Sequence, residues 1–168
     1  VTIKEKVYKV LISFFFMGKK VLIVDDEAII TNQMSEIAQR EGYNVFTASD
    51  GAEALEILKK NSMDFILTDL QMDKLGGADM VEIINGREGS KREENAREYF
   101  NGNVNAYDAF VQTHKSTPIL LMSKDESSAS KLAEMVGALE GSFPKFYDKE
   151  SPFRENQLVD VLRKYLAN

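Results

Sequence analysis

The chain has 168 residues, 43% of them hydrophobic, enough to bury one substantial core without requiring a second globular domain. It has no Cys and a single His, which removes disulfides and thiolate chemistry and leaves any metal site to oxygen donors, hence to hard cations such as Mg²⁺, Mn²⁺ or Ca²⁺. A formal charge of -6 argues against a nucleic-acid surface, which needs clustered Lys and Arg, so a protein is the expected partner.

Residues 1–17 read as an extension. Ile3, Val7, Leu11 and Phe14 follow helical spacing, and Thr2 with Glu5 resembles a capping box, so the pattern is that of an amphipathic helix. The apolar run from Val10 to Met17 falls far short of the roughly 20 residues that span a bilayer, and no small-residue cleavage signature follows it. An extra packing helix or an upstream extension is the expected reading of this stretch, ahead of a membrane-surface helix, and a cytoplasmic location is expected.

From Lys20 onward, short β-branched or apolar runs alternate with amphipathic segments, the pattern of βα units on a parallel sheet. Five strands are expected: Val21 to Asp25, Tyr43 to Ala48, Asp64 to Asp69, Pro118 to Ser123 and Phe143 to Lys149. The first, third and fourth are nearly all apolar, as strands covered on both faces are. Helical spacing marks Ile30, Met34, Ile37 and Ala38; then Ala54, Leu55 and Leu58; then Met80, Ile83 and Ile84. Leu132, Met135, Val136 and Leu139 mark a fourth helix, and Leu158, Val161, Leu162 and Tyr165 a last one, opened by Ser151 and Pro152. Right-handed crossovers make of this a doubly wound, flavodoxin-like α/β fold with a five-stranded parallel sheet in the order 2-1-3-4-5 and its crevice at the carboxyl ends of the strands.

One segment breaks the rhythm. Between Ile84 and Pro118 the connection is much longer than the usual roughly 2 to 6 residues, which marks an insertion at about residues 85–116. It is charged and helix-compatible after Ser90, and Val104, Tyr107 and Phe110 or Val111 recur at helical spacing. A solvated loop with a short helix and an added binding surface are the two readings. Because the stretch enters the amino end of the fourth strand, it is expected at the edge opposite the crevice.

Asp25 and Asp26 end the first strand and Asp69 the third, so three carboxylates converge at the crevice and call for a cation, with Mg²⁺ the natural one. Ser123 ends the fourth strand and Lys149 the fifth, adding a hydroxyl and an ammonium. A carboxylate nucleophile can accept a phosphoryl group where cationic groups offset the charge on its oxygens and a hydroxyl bonds one of them. No G-x-G-x-x-G or P-loop follows a strand, and VDDE lacks the second aspartate, two positions after the first, of a haloacid dehalogenase-like phosphatase.

Through VLIVDDE, DFILTDLQM, TPILLMS and the Lys149 strand end, the sequence resembles the response-regulator receiver family of two-component phosphorelays, from about Lys19 to Ala167 apart from the insertion. The resemblance implies a receiver domain over 18–168. Asp69 would be the phosphoacceptor, with Asp26, Asp69 and the Gln71 backbone carbonyl as direct Mg²⁺ ligands and Asp25 acting through water. Ser123 and Lys149 would complete the reaction site, with Ser123 and Phe146 as switch residues. The departures are Asp73 where the family has Pro, Gly76 where it often has an acid, and Lys124 where it has a small residue; Glu150 and Ser151 separate Lys149 from Pro152. Asp73, Lys124 and Asp125 are thus expected modulators of the site. The implied function is a phosphorylation-activated signalling switch, not an enzyme acting on other substrates. It would be charged by a histidine kinase or phosphotransfer protein and read by a downstream protein, with a homodimer open. The alternative is a pseudo-receiver that binds protein without phosphorylation. No output domain is expected after the last helix.

Overall fold

The structure, a computed structural model, describes residues 2–4, 6–7, 18–86, 90–123, 142–144 and 155–166. Five parallel strands form one sheet: β1 (Lys20–Val24), β2 (Asn44–Ala48), β3 (Phe65–Asp69), β4 (Ile119–Ser123) and β5 (Ser142–Pro144). Their spatial order, β2-β1-β3-β4-β5, is the expected one. The described helices are α1 (Ala28–Arg40), α2 (Gly51–Leu58), α3 (Gly77–Asn85), α4 (Ser90–Tyr99), α5 (Val104–His114) and α6 (Glu155–Leu166).

Side chains two apart on a strand share a face, and the sheet is covered on both faces accordingly. Leu22, Val24, Ile66, Ile119 and Leu121 pack into one core with α2, α3, α4 and α5. Val21, Ile23, Phe65, Leu67, Leu120 and Met122 point the other way, to α1 and α6. The helical positions expected to be apolar are the buried ones: Ile30, Met34, Ile37 and Ala38 on α1, Ala54, Leu55 and Leu58 on α2, and Met80, Ile83 and Ile84 on α3. Arg163 of α6 donates to Glu41 Oε2 at 2.8 Å, fixing the last helix beside the end of α1.

The long connection before β4 is a pair of helices, not a solvated loop. Phe100, Tyr107 and Phe110 are buried in the α2–α3 core, with ring centroids of Phe100 5.2 Å from Tyr107 and 5.1 Å from Phe110. The Tyr107 hydroxyl donates to Ile83 O at 2.9 Å and accepts from Asn95 Nδ2 at 3.0 Å, joining α5 to both α3 and α4. Arg92 on α4 makes a two-pronged pair with Asp108 on α5. His114, buried, bonds Leu58 O through Nε2 at 2.9 Å, and Thr117 donates to Met63 O just before the chain enters β4.

Its position also corrects an expectation. The stretch does enter β4 at the amino end, but Glu98, Tyr99 and Asn101 line a groove of about 500 Å³ together with Ser49, Asp50 and Lys74, which belong to the loops at the carboxyl ends of β2 and β3. A helix of 10 residues covers roughly 15 Å at 1.5 Å per residue, enough to carry the chain back along a neighbouring helix. Among the N-terminal residues, Ile3 and Val7 are helical and exposed, and Lys6 N–H donates to Thr2 O at 3.1 Å.

Candidate functional site

Strand register assembles the site. Val24 is level with Ala48 on one side and Thr68 on the other, so the next residue, Asp25, stands beside Asp69. Asp69 is level with Met122, which puts Ser123 one step further on, at the end of β4 beside Pro144 of β5. A one-residue slip of any of these strands would turn its core side chains to the wrong face, so the packing of the sheet holds the carboxylates in alignment.

Asp25 and Asp69 are buried, at 1% and 4% relative exposure, whereas Asp26 is exposed and Glu27 half-buried. Asp25 Oδ1 accepts the Glu27 N–H at 2.8 Å, a local turn that pins the carboxyl between β1 and the start of α1. Carboxylate oxygens of Asp25, Asp26 and Glu27 lie within 4.8 Å of one another. Like charges this close repel one another, which favours a cation among them. The cluster's donors are all hard oxygens, with neither thiolate nor imidazole, which suits Mg²⁺. Glu27 is the residue that reading the strand end missed, although it directly follows the two aspartates. A groove of about 200 Å³ opens here, lined by Asp25, Asp26, Thr31, Thr47, Ser49 and Glu53 among others.

Around Asp69 the backbone is tightly packed. Thr68 Oγ1 donates to Asp69 O at 3.1 Å, and Leu70 N–H donates to Met122 O at 2.9 Å. A Cβ at Gly77 would lie 2.2 Å from Asp69 O, so only glycine lets α3 begin directly against the Asp69 backbone. Gln71 and Asp73 are exposed in the loop that follows, and Gly76 is the N-cap of α3. Ser123 is half-buried. Lys124, Asp125, Phe146 and Lys149 lie outside the described residues, as do the expected fourth helix and the Ser151–Pro152 start. The fifth strand, expected over Phe143 to Lys149, is described over Ser142–Pro144.

At the rim, Asp50 caps α2 by accepting Glu53 N–H at 2.9 Å and pairs with Lys74 Nζ at 2.9 Å. The Glu53 amide, then Lys74, hold the Asp50 carboxyl below the usual carboxylate range. Glu53 in turn accepts from the Ser49 N–H and hydroxyl, both at 2.7 Å, which lowers its pKa as well. The cue in the sequence is the acid at position 53, three residues after the capping Asp50.

Comparison with known proteins agrees with this arrangement. Residues 21–92 match the response regulator receiver domain family, a span that contains Asp25, Asp26 and Asp69 and stops inside α4. Over 88% of its length the chain is 26% identical to the transcriptional regulatory protein CpxR of Escherichia coli, covering 49% of that protein. It is 40% identical over 68 residues to sporulation initiation phosphotransferase F of Bacillus subtilis, covering 40% of this chain and 52% of that one. The chain thus spans about half the length of these curated relatives. The solved chemotaxis protein CheY4 of Vibrio cholerae superposes with a TM-score of 0.62 at 27% identity, covering 88% of this chain and 98% of that one. The parallel strand order agrees with these matches, and residues 21–92 are similar to response-regulator receiver domains.

Proposed function

We propose that this chain is a phosphorylation-activated switch that accepts a phosphoryl group on Asp69 from a histidine kinase or phosphotransfer protein and signals by protein contact. The observation that carries the reading is the strand register: it brings Asp69 and Ser123 to the same edge of the sheet as Asp25, which forms a carboxylate cluster with Asp26 and Glu27. Asp25 and Asp26, with Asp69 and the Gln71 carbonyl, would hold Mg²⁺, and Glu27 extends that donor set. When bound, the cation supplies positive charge for the phosphoryl oxygens.

In the transfer step, an Asp69 carboxylate oxygen attacks phosphorus, a P–O bond forms, and the P–N bond of a phosphohistidine donor breaks as its imidazole takes a proton. The reading is supported by the burial of Asp69 at the end of β3 and by a fixed backbone there, where the Thr68 hydroxyl donates to Asp69 O and the Leu70 amide to Met122 O. Ser123 would donate to one phosphoryl oxygen, and Lys149 would pair with another. Among the described residues no helix is long and apolar enough to cross a membrane, which suits a receiver working in the cytoplasm.

The test is labelling by acetyl phosphate. Incorporation that requires Mg²⁺ and disappears in Asp69→Asn supports the reading. Labelling that persists in Asp69→Asn or in Asp26→Ala refutes the site. A folded protein that takes no label from acetyl phosphate or from any kinase is instead a phosphorylation-independent binding module.

A further inference from the structure

The loop between β3 and α3 carries Gln71, and it lacks the proline that stiffens this loop in the family, with Asp73 in its place. Its ends are held by the sheet and by its own turn: Leu70 N–H donates to Met122 O at 2.9 Å, and Gly77 N–H to Leu70 O at 3.1 Å. Its middle is held from a different element. Gly51 N–H, at the start of α2, donates to Leu75 O at 3.0 Å, and a Cβ at Gly51 would lie 2.6 Å from that oxygen, so the two backbones are in direct contact. One residue earlier in each segment, Lys74 Nζ reaches Asp50 Oδ2 at 2.9 Å.

The two ends of this pair differ. The Asp50 side chain is 7% exposed, and its other oxygen is committed to the Glu53 amide, so it is a fixed anchor. The Lys74 side chain is 76% exposed and comes in from solvent as a strap over the loop. We propose that Lys74 and Asp50 are positioning residues, a latch from the N-terminus of α2 that sets the β3–α3 loop, and with it the Gln71 carbonyl, for the cation site. The proposal rests on the function proposed above, because the placement of Gln71 matters only if a cation is held there. The latch replaces the stiffness of the missing proline with an outside clamp, and the clamp can be opened without touching a carboxylate of the site.

The experiment compares the full chain with Lys74→Ala, Lys74→Arg, Asp50→Asn and the Lys74→Ala/Asp50→Asn double variant. Asn retains the helix cap while losing the charge, so Asp50→Asn isolates the strap from the fold of α2. Mn²⁺ binding followed by electron paramagnetic resonance, with no phosphodonor present, should weaken about threefold in Lys74→Ala and Asp50→Asn, the scale of one exposed ion pair. The double variant should be no weaker than either single one, and Lys74→Arg should restore wild-type affinity. In metal-free protein, exchange of the Gly51 amide should quicken in Lys74→Ala while the unfolding midpoint stays put.

Equal Mn²⁺ affinity in all the variants, or unchanged exchange at Gly51, overturns the latch. A wild-type protein that binds no Mn²⁺, or binds it equally well as Asp26→Ala, overturns the functional reading itself and removes the latch's purpose with it.

Discussion

Tyr107→Phe is the sharpest probe of whether the α4–α5 pair is part of the core. Tyr107 is 1% exposed, and its hydroxyl serves two partners, Ile83 O at 2.9 Å and Asn95 Nδ2 at 3.0 Å. Ile83 lies in the last turn of α3, where carbonyls have no partner within the helix, so Tyr107 fills a vacancy that helix geometry creates. Phe retains the ring contacts with Phe100 and removes only the oxygen. Two hydrogen bonds at about 1 kcal/mol each, with a buried carbonyl then left bare, make the loss about 2 kcal/mol. For a domain of this size that lowers the thermal midpoint by roughly 4–8 °C. Urea titration should show an earlier midpoint with an unchanged slope. A loss under about 0.5 kcal/mol would refute the argument, since it would mean that Tyr107 is not docked between α3 and α4.

Other substitutions separate surface from core. Arg92→Ala breaks the α4–α5 ion pair, but both partners are 41% exposed and solvent screens them, so the urea midpoint should move far less than in Tyr107→Phe. His114 is buried, and desolvation lowers its pKa, so the unfolded chain takes a proton before the folded one does. Stability from this residue is therefore present above its ordinary pKa of about 6.5 and lost as pH falls through that value toward the folded one. His114→Gln should flatten the difference in unfolding midpoint between about pH 7.5 and 5.5. Lys124→Ala should hasten loss of the phosphoryl group from Asp69 by about tenfold, a barrier change of about 1.4 kcal/mol, if the Lys stem screens the attacking water; equal decay rates would dismiss that role.

The sheet was legible because burial on both faces writes itself as apolar runs, and each observed strand from β1 to β4 falls within one residue of its expected limits. Asp25, Asp69 and Ser123 were legible for the same reason: Asp25 and Ser123 are the first polar groups after those runs, and Asp69 is the first charged one, one place after Thr68. What pattern reading could not supply was where the long connection goes. Tyr107 and Phe110 announced a helical face, but α4 has almost no apolar stripe, and its core contribution rests on Ala96 and the polar Asn95. Nor does a sequence say that Lys74 and Asp50 meet, since that pair depends on two loops brought together by the parallel order of β2, β1 and β3.

The packing of α4 and α5 also decides how this stretch can contribute to the proposed signalling. Had it been a solvated loop, residues 87–115 could be exchanged for a short Gly/Ser link at no cost to the fold. With Ala96, Phe100, Tyr107 and Phe110 buried, the exchange would strip the outer side of α2 and α3 and leave the last-turn Ile83 carbonyl without its hydroxyl. Burial of a large apolar side chain is worth about 1.5–3 kcal/mol, so removing two Phe and a Tyr together rivals the stability of a whole domain. Any partner of this element must therefore read its outer face, where Lys91, Glu93, Glu94, Arg97 and Glu98 are exposed, while the inner face stays in the core. That outer face ends at the groove shared by Tyr99, Asp50 and Lys74, so a partner seated on α4 would lie against the clamp that holds the β3–α3 loop.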